Sequence, residues 1–372
     1  MHRTAKLLLL LMPLCGAAPL RAQGQHAPVA PVGPCAQVID AGGSRLTPAI
    51  SWSVRTKPRE REALDRQCRT LGSIVLNAQP RTQPTGVDAV AILGWNVHVG
   101  GGDLETMLDA LEAGALTGAP VAHYVLAIEE AHRSGGDLPA VPEGIGVPRR
   151  IMPKVVGRQR EDIVSLAARR GLALYYAPSM RNGREAPFED RGNAILSTMP
   201  LEELSAVELP FTRQRRVAIG ARIQGHDTRG GPWSLRVVAV HLDTLAGPSR
   251  LWIFANGWRG GQARTVIQTL DQAEPSVLGG DLNTWLLGGW ERAARRFAES
   301  YPQTRTAVTP HGASARGRLD YLFYRHPAPW TATLQKLSDN CGSDHTPIVG
   351  QVRFGPAPLV QGKVEATPCK AR

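Results

Sequence analysis

The stretch Pro275-Ser-Val-Leu-Gly-Gly-Asp281-Leu-Asn283 is the part of the chain that decides its fold class. The apolar pair Val277-Leu278 is followed by two glycines, a pattern typical of a buried strand that ends in a tight turn. A carboxylate, Asp281, and an amide, Asn283, come directly after the turn. Side chains two positions apart share one face of an extended chain, so both polar groups are predicted to lie at the mouth of a sheet.

Polar side chains also stand at the ends of most other strong apolar runs. They are Asn96, Glu129, Glu130, His241, Asp243, Asp320, Asp344 and His345. Taken singly, each can be explained as a turn residue, a cap or a hydrogen-bonded core residue. Open α/β sheets, however, bind their ligands at strand ends, so the repeated pattern predicts that these side chains meet in one site.

Short apolar runs alternate with amphipathic stretches from residue 87 to about residue 354, which indicates an α/β body with two sheets. The predicted strands are 90–95, 121–128, 172–177, 193–197, 217–223, 235–241, 276–278, 319–324 and 347–354. The predicted helices are 58–71, 104–116, 158–170, 262–273 and 289–299. We expect residues 87–355 to form the domain that carries the site and residues 356–372 to form a C-terminal tail.

The first 22 residues have the three-part layout of a secretory signal peptide. Arg3 and Lys6 precede the apolar run 7–14, which is too short to span a bilayer, and small residues follow it. Residues 23–86, rich in Pro, Gly and Arg, are predicted to be an extension in front of the domain. We therefore expect a secreted or periplasmic protein that has no transmembrane segment and acts as a monomer.

Four cysteines remain after removal of the first 22 residues: Cys35, Cys68, Cys341 and Cys369. An even number of cysteines in an oxidising compartment indicates two disulfides, for which three pairings are possible. Pairing Cys35 with Cys68 and Cys341 with Cys369 is favoured because each bridge closes a local segment.

The formal net charge is +11, and it falls to +8 when the signal segment, with three basic residues and no acidic one, is removed. A basic exported protein suits anionic partners such as nucleic acid, phosphorylated small molecules or lipid headgroups. Because the basic residues are mostly arginine, the charge can also reflect genome composition. The charge alone therefore decides little.

Seven segments, taken in order, resemble the motifs of the endonuclease/exonuclease/phosphatase superfamily. They are Trp95-Asn96, Ile128-Glu129-Glu130, Arg191-Gly-Asn-Ala-Ile-Leu-Ser197, Val240-His241-Leu-Asp243, Gly280-Asp281-Leu-Asn283, Leu319-Asp320-Tyr-Leu and Ser343-Asp344-His345. That superfamily includes secreted deoxyribonucleases, abasic-site endonucleases, bacterial sphingomyelinases and inositol-polyphosphate phosphatases. The resemblance implies a four-layer αββα sandwich with a Mg²⁺-dependent phosphoesterase site where the two sheets open.

The resemblance also implies a set of metal ligands. Glu130 would be the principal ligand of Mg²⁺, or of Mn²⁺ or Ca²⁺, with Asn96 and Asp344 close to the ion. The sequence departs from the family pattern at two positions. Glu129 stands where the family commonly has Gln, which adds a carboxylate near the metal, and His98 stands where some members have a ligand Asp.

The catalytic roles implied by the resemblance fall on five residues. Asp281 would orient or deprotonate the attacking water, and Asn283 would donate a hydrogen bond to the phosphate. Asp320 would position His345, which acts as a general base or as a charged donor. His241 would contact the opposite phosphate oxygen or assist the leaving group. Whether Asp281 or His345 takes the proton is left open by the sequence.

The implied activity is hydrolysis of an anionic phosphodiester by activated water. The basic charge favours nucleic acid as the substrate over a phospholipid headgroup, and inositol phosphates are a further class, although no lysine-rich recognition segment is visible. A different hypothesis is a catalytically silent anion-binding protein on the same scaffold. The intact set of polar residues argues against it.

Three further features bear on the substrate. Residues 251–258 carry aromatic side chains that would grip a base, sit in a lipid interface or pack against the body. Arginines that would line an anionic groove, or that simply reflect an arginine-rich chain, are Arg149, Arg150, Arg213, Arg215 and Arg216. The glycines 100–102 resemble a phosphate-binding loop, but Asp103 is a good helix N-cap, and its charge would repel phosphate.

Overall fold

Two β-sheets pack face to face in the computed structural model, and helices cover both outer faces. The structure describes residues 30–54, 57–81, 84–139, 160–183, 186–212, 214–244, 255–284, 288–304, 319–355 and 369. The strands are β1 (Val38–Ile39), β2 (Arg45–Leu46), β3 (Ser51–Val54), β4 (Ile74–Asn77), β5 (Ala89–Asn96), β6 (Tyr124–Ser134), β7 (Ala173–Arg181), β8 (Glu189–Ser197), β9 (Glu202–Glu208), β10 (Val217–His226), β11 (Pro232–His241), β12 (Ser276–Asp281), β13 (Asp320–Arg325), β14 (Thr331–Lys336) and β15 (Ile348–Arg353). The helices are α1 (Pro58–Cys68), α2 (Leu104–Glu112), α3 (Ile163–Arg170), α4 (Ala255–Thr269) and α5 (Arg292–Ser300).

The larger sheet has nine strands in the order β14-β15-β5-β6-β8-β7-β4-β1-β2, and the smaller has six in the order β13-β12-β11-β10-β9-β3. Each sheet contains a central parallel pair, β5 with β6 and β11 with β12. Parallel strands end at the same edge of a sheet, so Asn96 lies opposite Glu129 in one sheet and His241 lies opposite Asp281 in the other. Each sheet therefore brings two of the polar residues to one edge.

Side chains alternate between a core shared by the two sheets and an outer face that packs against helices. Ile92 and Val237 lie in the shared core, whereas their neighbours Leu93 and Val238 face outward. The outer face of the larger sheet packs on α2 and α3, and that of the smaller sheet packs on α4 and α5. These layers confirm the αββα sandwich that the resemblance implied.

All nine predicted strands are present, with ends that differ by a few residues. Six further strands, β1 to β4, β9 and β14, were not predicted. Four of the six have no more than four residues. In β14, five consecutive positions are half-buried, so this strand does not alternate between buried apolar and exposed polar residues. Because β1, β2 and β4 join the larger sheet and β3 joins the smaller, the segment before Val87 contributes strands to both sheets.

The predicted helices are present, and one is displaced. The helix predicted at 262–273 begins earlier, at Ala255, because Gly257, Gly260 and Gly261 made its first turns resemble a loop. Helix α2 begins after Asp103 as predicted, and the Asp103 carboxylate accepts a hydrogen bond from the Thr106 backbone N–H at 2.9 Å.

Both favoured disulfides are present. Cys35 pairs with Cys68, and Cys341 pairs with Cys369, with Cα–Cα separations of 5.2 and 5.3 Å. The first bridge ties helix α1 to the turn at Pro34–Ala36. The second ties a residue of the C-terminal tail to the loop that carries Asp344 and His345.

Several predictions fall on residues outside the described ranges. These are the signal segment 1–22, Arg149, Arg150, Arg213 and residues 251–254. Within the described part of the chain, no helix combines the length and the apolar character needed to cross a membrane.

Candidate active site

The site is built directly above a layer where the two sheets touch. A Cβ atom on Gly279 would lie 2.8 Å from the Ala127 Cβ atom and 3.8 Å from the Gly94 Cα atom, so this contact requires glycine. Two residues further along each strand, on the same faces, stand Asp281, Glu129 and Asn96. The strand register therefore directs these three side chains toward one another across the gap between the sheets.

Asp281 is the centre of this group and is 1% exposed. Its Oδ2 atom accepts a hydrogen bond from Asn96 Nδ2 at 3.0 Å and lies 3.4 Å from His241 Nε2 and 3.8 Å from His345 Nε2. Its Oδ1 atom accepts a hydrogen bond from the Asn283 backbone N–H at 2.8 Å. One carboxylate thus contacts residues from both sheets and from the loop before β15.

His345 is held in place through both its ring and its backbone. Its Nδ1 atom lies 2.8 Å and 3.0 Å from the two carboxylate oxygens of Asp320. Its backbone N–H donates to Ser343 Oγ, which in turn donates to the Asn96 carbonyl, and the Trp95 indole donates to the His345 carbonyl. These bonds fix the loop on the end of β5, so the imidazole Nε2 atom faces Asp281.

The charges in this cluster shift the pKa values of its members. Burial, together with the charge of Asp320, raises the pKa of Asp281 to about 7, although His345 and two hydrogen bonds oppose the rise. Burial lowers the pKa of His345, but the hydrogen bond to Asp320 and the charges of Asp320 and Asp281 outweigh it and raise that pKa to about 9. Burial, followed by the charge of Arg216, lowers the pKa of His241 well below its usual range. At neutral pH, one histidine of the site is therefore cationic and the other is neutral.

Glu129 and Glu130 occupy different environments. Glu129 is 1% exposed, its Oε1 atom has no hydrogen-bond partner, and burial together with the charges of Asp320 and Asp281 raises its pKa well above the usual range. The register of β6 shifts between Ile128 and Ala131, and Glu130 adopts a left-handed φ of 52°.

This irregularity gives Glu130 a different set of neighbours. Its side chain is 18% exposed, and its Oε2 atom lies 3.7 Å from Arg191 Nε. Glu129 therefore projects into the cluster around Asp281, whereas Glu130, the predicted principal ligand, lies beside it against an arginine.

Asp344 and His98 form a second contact at the rim of the cluster. Asp344 Oδ1 lies 2.7 Å from His98 Nδ1 and 3.8 Å from His345 Nε2. The buried His98 also donates its backbone N–H to Asn96 Oδ1 at 3.0 Å. The residue that replaces the family's Asp is thus joined to two predicted metal ligands, Asn96 and Asp344.

Asn283, which is predicted to donate a hydrogen bond to the phosphate, uses its side-chain amide in a contact with the backbone. Its side-chain amide donates to the Leu242 carbonyl at 2.9 Å, and its backbone lies in the left-handed region with a φ of 51°. This arrangement closes the turn after β12 and presents the Asn283 backbone N–H to Asp281.

Arg216, one of the five arginines that the sequence suggests for an anionic groove, lies close to His241. It is 3% exposed, its Nε atom donates to Asp243 Oδ1 at 3.2 Å, and its Nη1 atom is buried without a partner. Its neighbour Arg215 is instead fully buried in an ion pair with Glu208. The two arginines are adjacent in sequence just before β10, and their different ion-pair partners separate a site residue from a structural one.

A divalent cation fits the donor set of the cluster. Asp281, Asp320 and His345 each offer a ligand atom that lies within 4.8 Å of the others. The unpartnered Glu129 Oε1 atom is a buried carboxylate oxygen that lacks a donor, and a cation would satisfy it. Carboxylate and amide oxygens are the ligands that Mg²⁺, Mn²⁺ and Ca²⁺ prefer.

Comparison with known proteins identifies the family of the chain. None of the curated proteins matches it. Among solved structures, the chain is similar to an endonuclease/exonuclease/phosphatase from Beutenbergia cavernae, with 20% identity, 74% of each chain covered and a TM-score of 0.49. It is similar to sphingomyelinase C from Streptomyces griseocarneus, with 16% identity, 71% of this chain and 99% of that chain covered and a TM-score of 0.37. It is also similar to a 3'-5' exonuclease from Neisseria meningitidis, with 15% identity, 72% and 100% coverage and a TM-score of 0.42. Residues 93–345, more than half of the chain, match the model of the Endonuclease/Exonuclease/phosphatase family, and the protein therefore belongs to this family of phosphoester hydrolases.

Proposed function

We propose that this protein is an exported, metal-dependent phosphodiesterase that hydrolyses its substrate with activated water. The observation that supports this proposal is the convergence on one buried oxygen, Asp281 Oδ2, of Asn96, His241 and His345, which come from both sheets and a loop. Structural polar clusters satisfy their members by pairing opposite charges, whereas this one places carboxylates side by side and leaves a carboxylate oxygen unpartnered.

The metal would be held at the open edge of the sheets. Its ligands in this proposal are Asn96, Glu130 and Asp344, with the additional carboxylate of Glu129 beside them. When bound, Mg²⁺ or a similar cation supplies positive charge that stabilises the charge developing on the phosphoryl group.

The side chains around the metal then perform separate tasks. Asp281 is the acceptor for a proton of the attacking water, because it is the carboxylate on which Asn96, His241 and His345 converge. His345, whose Nδ1 atom is held by Asp320, is the charged donor to a phosphoryl oxygen. His241 is neutral and is the donor to the opposite oxygen or to the leaving group. The Asn283 side-chain amide is the remaining group, and its proposed task is to donate a hydrogen bond to the phosphate.

Nucleic acid is the first candidate substrate, because a formal charge of +8 without the signal segment favours an anionic polymer. A phospholipid is the second candidate, and exposed tryptophans near the site favour it. In both cases the scissile group is an anionic phosphodiester, and a secreted or periplasmic protein would encounter it outside the cytoplasm.

The proposal is tested with purified protein offered supercoiled plasmid, sphingomyelin vesicles and inositol polyphosphates, with Mg²⁺ or with EDTA. We expect one of the phosphodiesters to be cleaved in Mg²⁺ only, and we expect His345→Ala to abolish the cleavage. His226→Ala is the matched control, because His226 is exposed on the same fold and makes none of the site's contacts. No cleavage of any substrate in Mg²⁺ would favour a silent binding protein, and cleavage that persists in EDTA would refute the metal mechanism.

A further inference from the structure

Two tryptophans are exposed on the helices beside the site. Among the described residues the exposed large hydrophobic side chains are Val32, Phe188, Trp258 and Trp290. Trp258 lies in the first turn of α4 and is 40% exposed, and Trp290 lies just before α5 and is 82% exposed. Trp290 exposes more than four fifths of its surface, so its apolar ring stays in contact with water in the isolated protein. Exposed aromatic side chains that lie close together mark an interaction surface.

A buried ion pair fixes the two tryptophans on one rigid unit. Arg259, which follows Trp258, donates through Nη2 and Nε to Glu291 Oε2 at 2.7 and 3.0 Å, and Glu291 follows Trp290. Both charged side chains are at most 2% exposed. Because each tryptophan is one residue from a partner of the same ion pair, the two rings project from neighbouring points of the surface.

This surface adjoins the active-site edge of the smaller sheet. Arg259 Nη1 donates to the Thr244 carbonyl at 3.1 Å, three residues beyond His241, and Trp290 ends the short 3-10 helix Gly288–Trp290 that precedes α5. The Arg259–Glu291 pair beside both tryptophans therefore lies next to the chain that leaves the His241 end of β11.

The same surface is positively charged. Helix α4 has no acidic residue, and helix α5 has three arginines and one glutamate in nine positions. Arg292 and Arg295 are exposed at the beginning of α5, next to Trp290, whereas Glu299 lies near the far end of the helix. The Arg292 backbone N–H donates to Asn256 Oδ1, which brings the start of α5 against the start of α4. Exposed aromatics and guanidinium groups therefore share one face.

We propose that Trp258, Trp290, Arg292 and Arg295 form a docking face for an anionic phospholipid surface. Tryptophan rings partition to the boundary between headgroups and acyl chains, and arginines beside them pair with lipid phosphates. A ring that stands out from the protein, as Trp290 does, can enter that boundary, whereas base stacking uses a ring face along a groove. This proposal rests on the proposed function in one respect, because docking would bring the site to phosphodiester headgroups.

Vesicle binding in EDTA tests the docking face without any turnover. The full-length protein is sedimented with vesicles of phosphatidylcholine, with and without phosphatidylglycerol. We expect binding that requires the anionic lipid and a blue shift of tryptophan emission on binding. Trp258→Ala with Trp290→Ala should weaken the partitioning at least about tenfold, because the burial of both rings in the lipid boundary is lost.

Arg292→Gln with Arg295→Gln should remove the preference for the anionic lipid. Two control variants remove the same kinds of side chain from parts of the surface outside the docking face. Phe188→Ala removes an equally exposed aromatic outside the face, and Arg59→Gln with Arg66→Gln removes two exposed arginines from α1. Both controls should bind like the unaltered protein.

The failure of this proposal is distinguishable from the failure of the proposed function. Cleavage of a phosphodiester without any vesicle binding would refute the docking face alone, and vesicle binding without cleavage would refute the enzyme alone. Retention of a single-stranded oligonucleotide that is lost in the tryptophan variant, with vesicle binding unchanged, would show that the face binds bases and would overturn the lipid proposal.

Discussion

Asp190 and Asp281 are both buried aspartates at strand ends, one in each sheet, yet their surroundings are opposite. Asp190 is fully buried and accepts hydrogen bonds from four donors: Arg133 Nε at 3.0 Å, Arg133 Nη2 at 2.7 Å, the Tyr176 hydroxyl at 2.6 Å and the Gly72 backbone N–H at 3.0 Å. Asp281 instead lies opposite Asp320 in the strand register and near Glu129, with two histidines at longer distances.

Burial alone does not distinguish a structural carboxylate from one in a candidate functional site. A buried carboxylate with a complete set of donors holds structure together, and the Asp190 cluster ties residues near Cys68 to the larger sheet. A buried carboxylate placed beside other carboxylates raises the free energy of the folded chain unless a cation or a proton compensates. The second arrangement marks the functional region.

The largest expected effect is the loss of activity when Asp281 is replaced. Asp281→Asn should lower kcat/KM by about 10²–10⁴-fold, because the proposed acceptor for the water's proton is lost. The same change should raise the melting temperature in EDTA, because a buried charge beside Asp320 is removed. Plasmid or lipid hydrolysis and thermal unfolding measure the two outcomes. A variant with near-normal activity would remove Asp281 from the mechanism.

Asp190→Asn should act in the opposite way. It should lower the free energy of unfolding by about 3–5 kcal/mol, because the buried Arg133 loses its fully buried charge partner and keeps only the longer contact with Asp137. Urea unfolding measures the change, and kcat/KM per folded molecule should stay as it was. Adding Arg133→Met should restore part of the stability. If the single variant proves as stable as the unaltered protein, the Asp190 cluster is not the structural counterpart we describe.

Glu129→Gln sharpens the comparison inside the site. It should stabilise the metal-free protein, because the buried carboxylate without a partner becomes a neutral amide. It should also weaken Mn²⁺ binding by about tenfold, an effect typical of groups close to a metal ligand. Electron paramagnetic resonance titration with Mn²⁺ and melting in EDTA measure both.

Glu130→Gln is the paired variant, and it should weaken Mn²⁺ more than Glu129→Gln if Glu130 is the principal ligand. Unchanged Mn²⁺ affinity in Glu130→Gln would transfer the ligand role to Glu129.

The smallest effect is expected from pH. The pKa of His345 is raised to about 9 in the folded protein, above its ordinary value near 6.5, so its contribution to stability is complete below pH 6.5 and is lost as the pH rises through 9. Melting temperatures in EDTA should therefore fall by a few degrees between these values. The decrease should be smaller in His345→Gln and should persist in Asp190→Asn. A melting temperature that rises over this range would contradict the assignment.

Most of the fold could be predicted from the sequence, and so could the meeting of Asn96, His241, Asp281 and His345 in one cluster, for a physical reason. Strands such as β5, β11 and β12 are covered on both faces, so they read as continuous apolar runs, and the residues that end them are conspicuous. The short strands β1 to β4 lie near the sheet edges and lack that signal.

Two features of the site had no sequence signal. The register shift in β6 decides which of Glu129 and Glu130 faces Asp281, and such an irregularity depends on the pairing with β8. The different roles of Arg215 and Arg216 likewise depend on tertiary contacts, with Glu208 and with Asp243, that their adjacency in sequence does not reveal.

No side chain separates the two sheets at Gly94 and Gly279, so the backbones meet one step below the reacting groups. The 3.0 Å bond from Asn96 to Asp281 across the gap thus depends on this close approach. A single methyl group at Gly279 would act as a wedge against Ala127 of the opposite sheet, and it would separate the halves of the site while leaving every site side chain in the sequence. At Gly94 the same methyl group would first meet the flexible end of the Leu322 side chain.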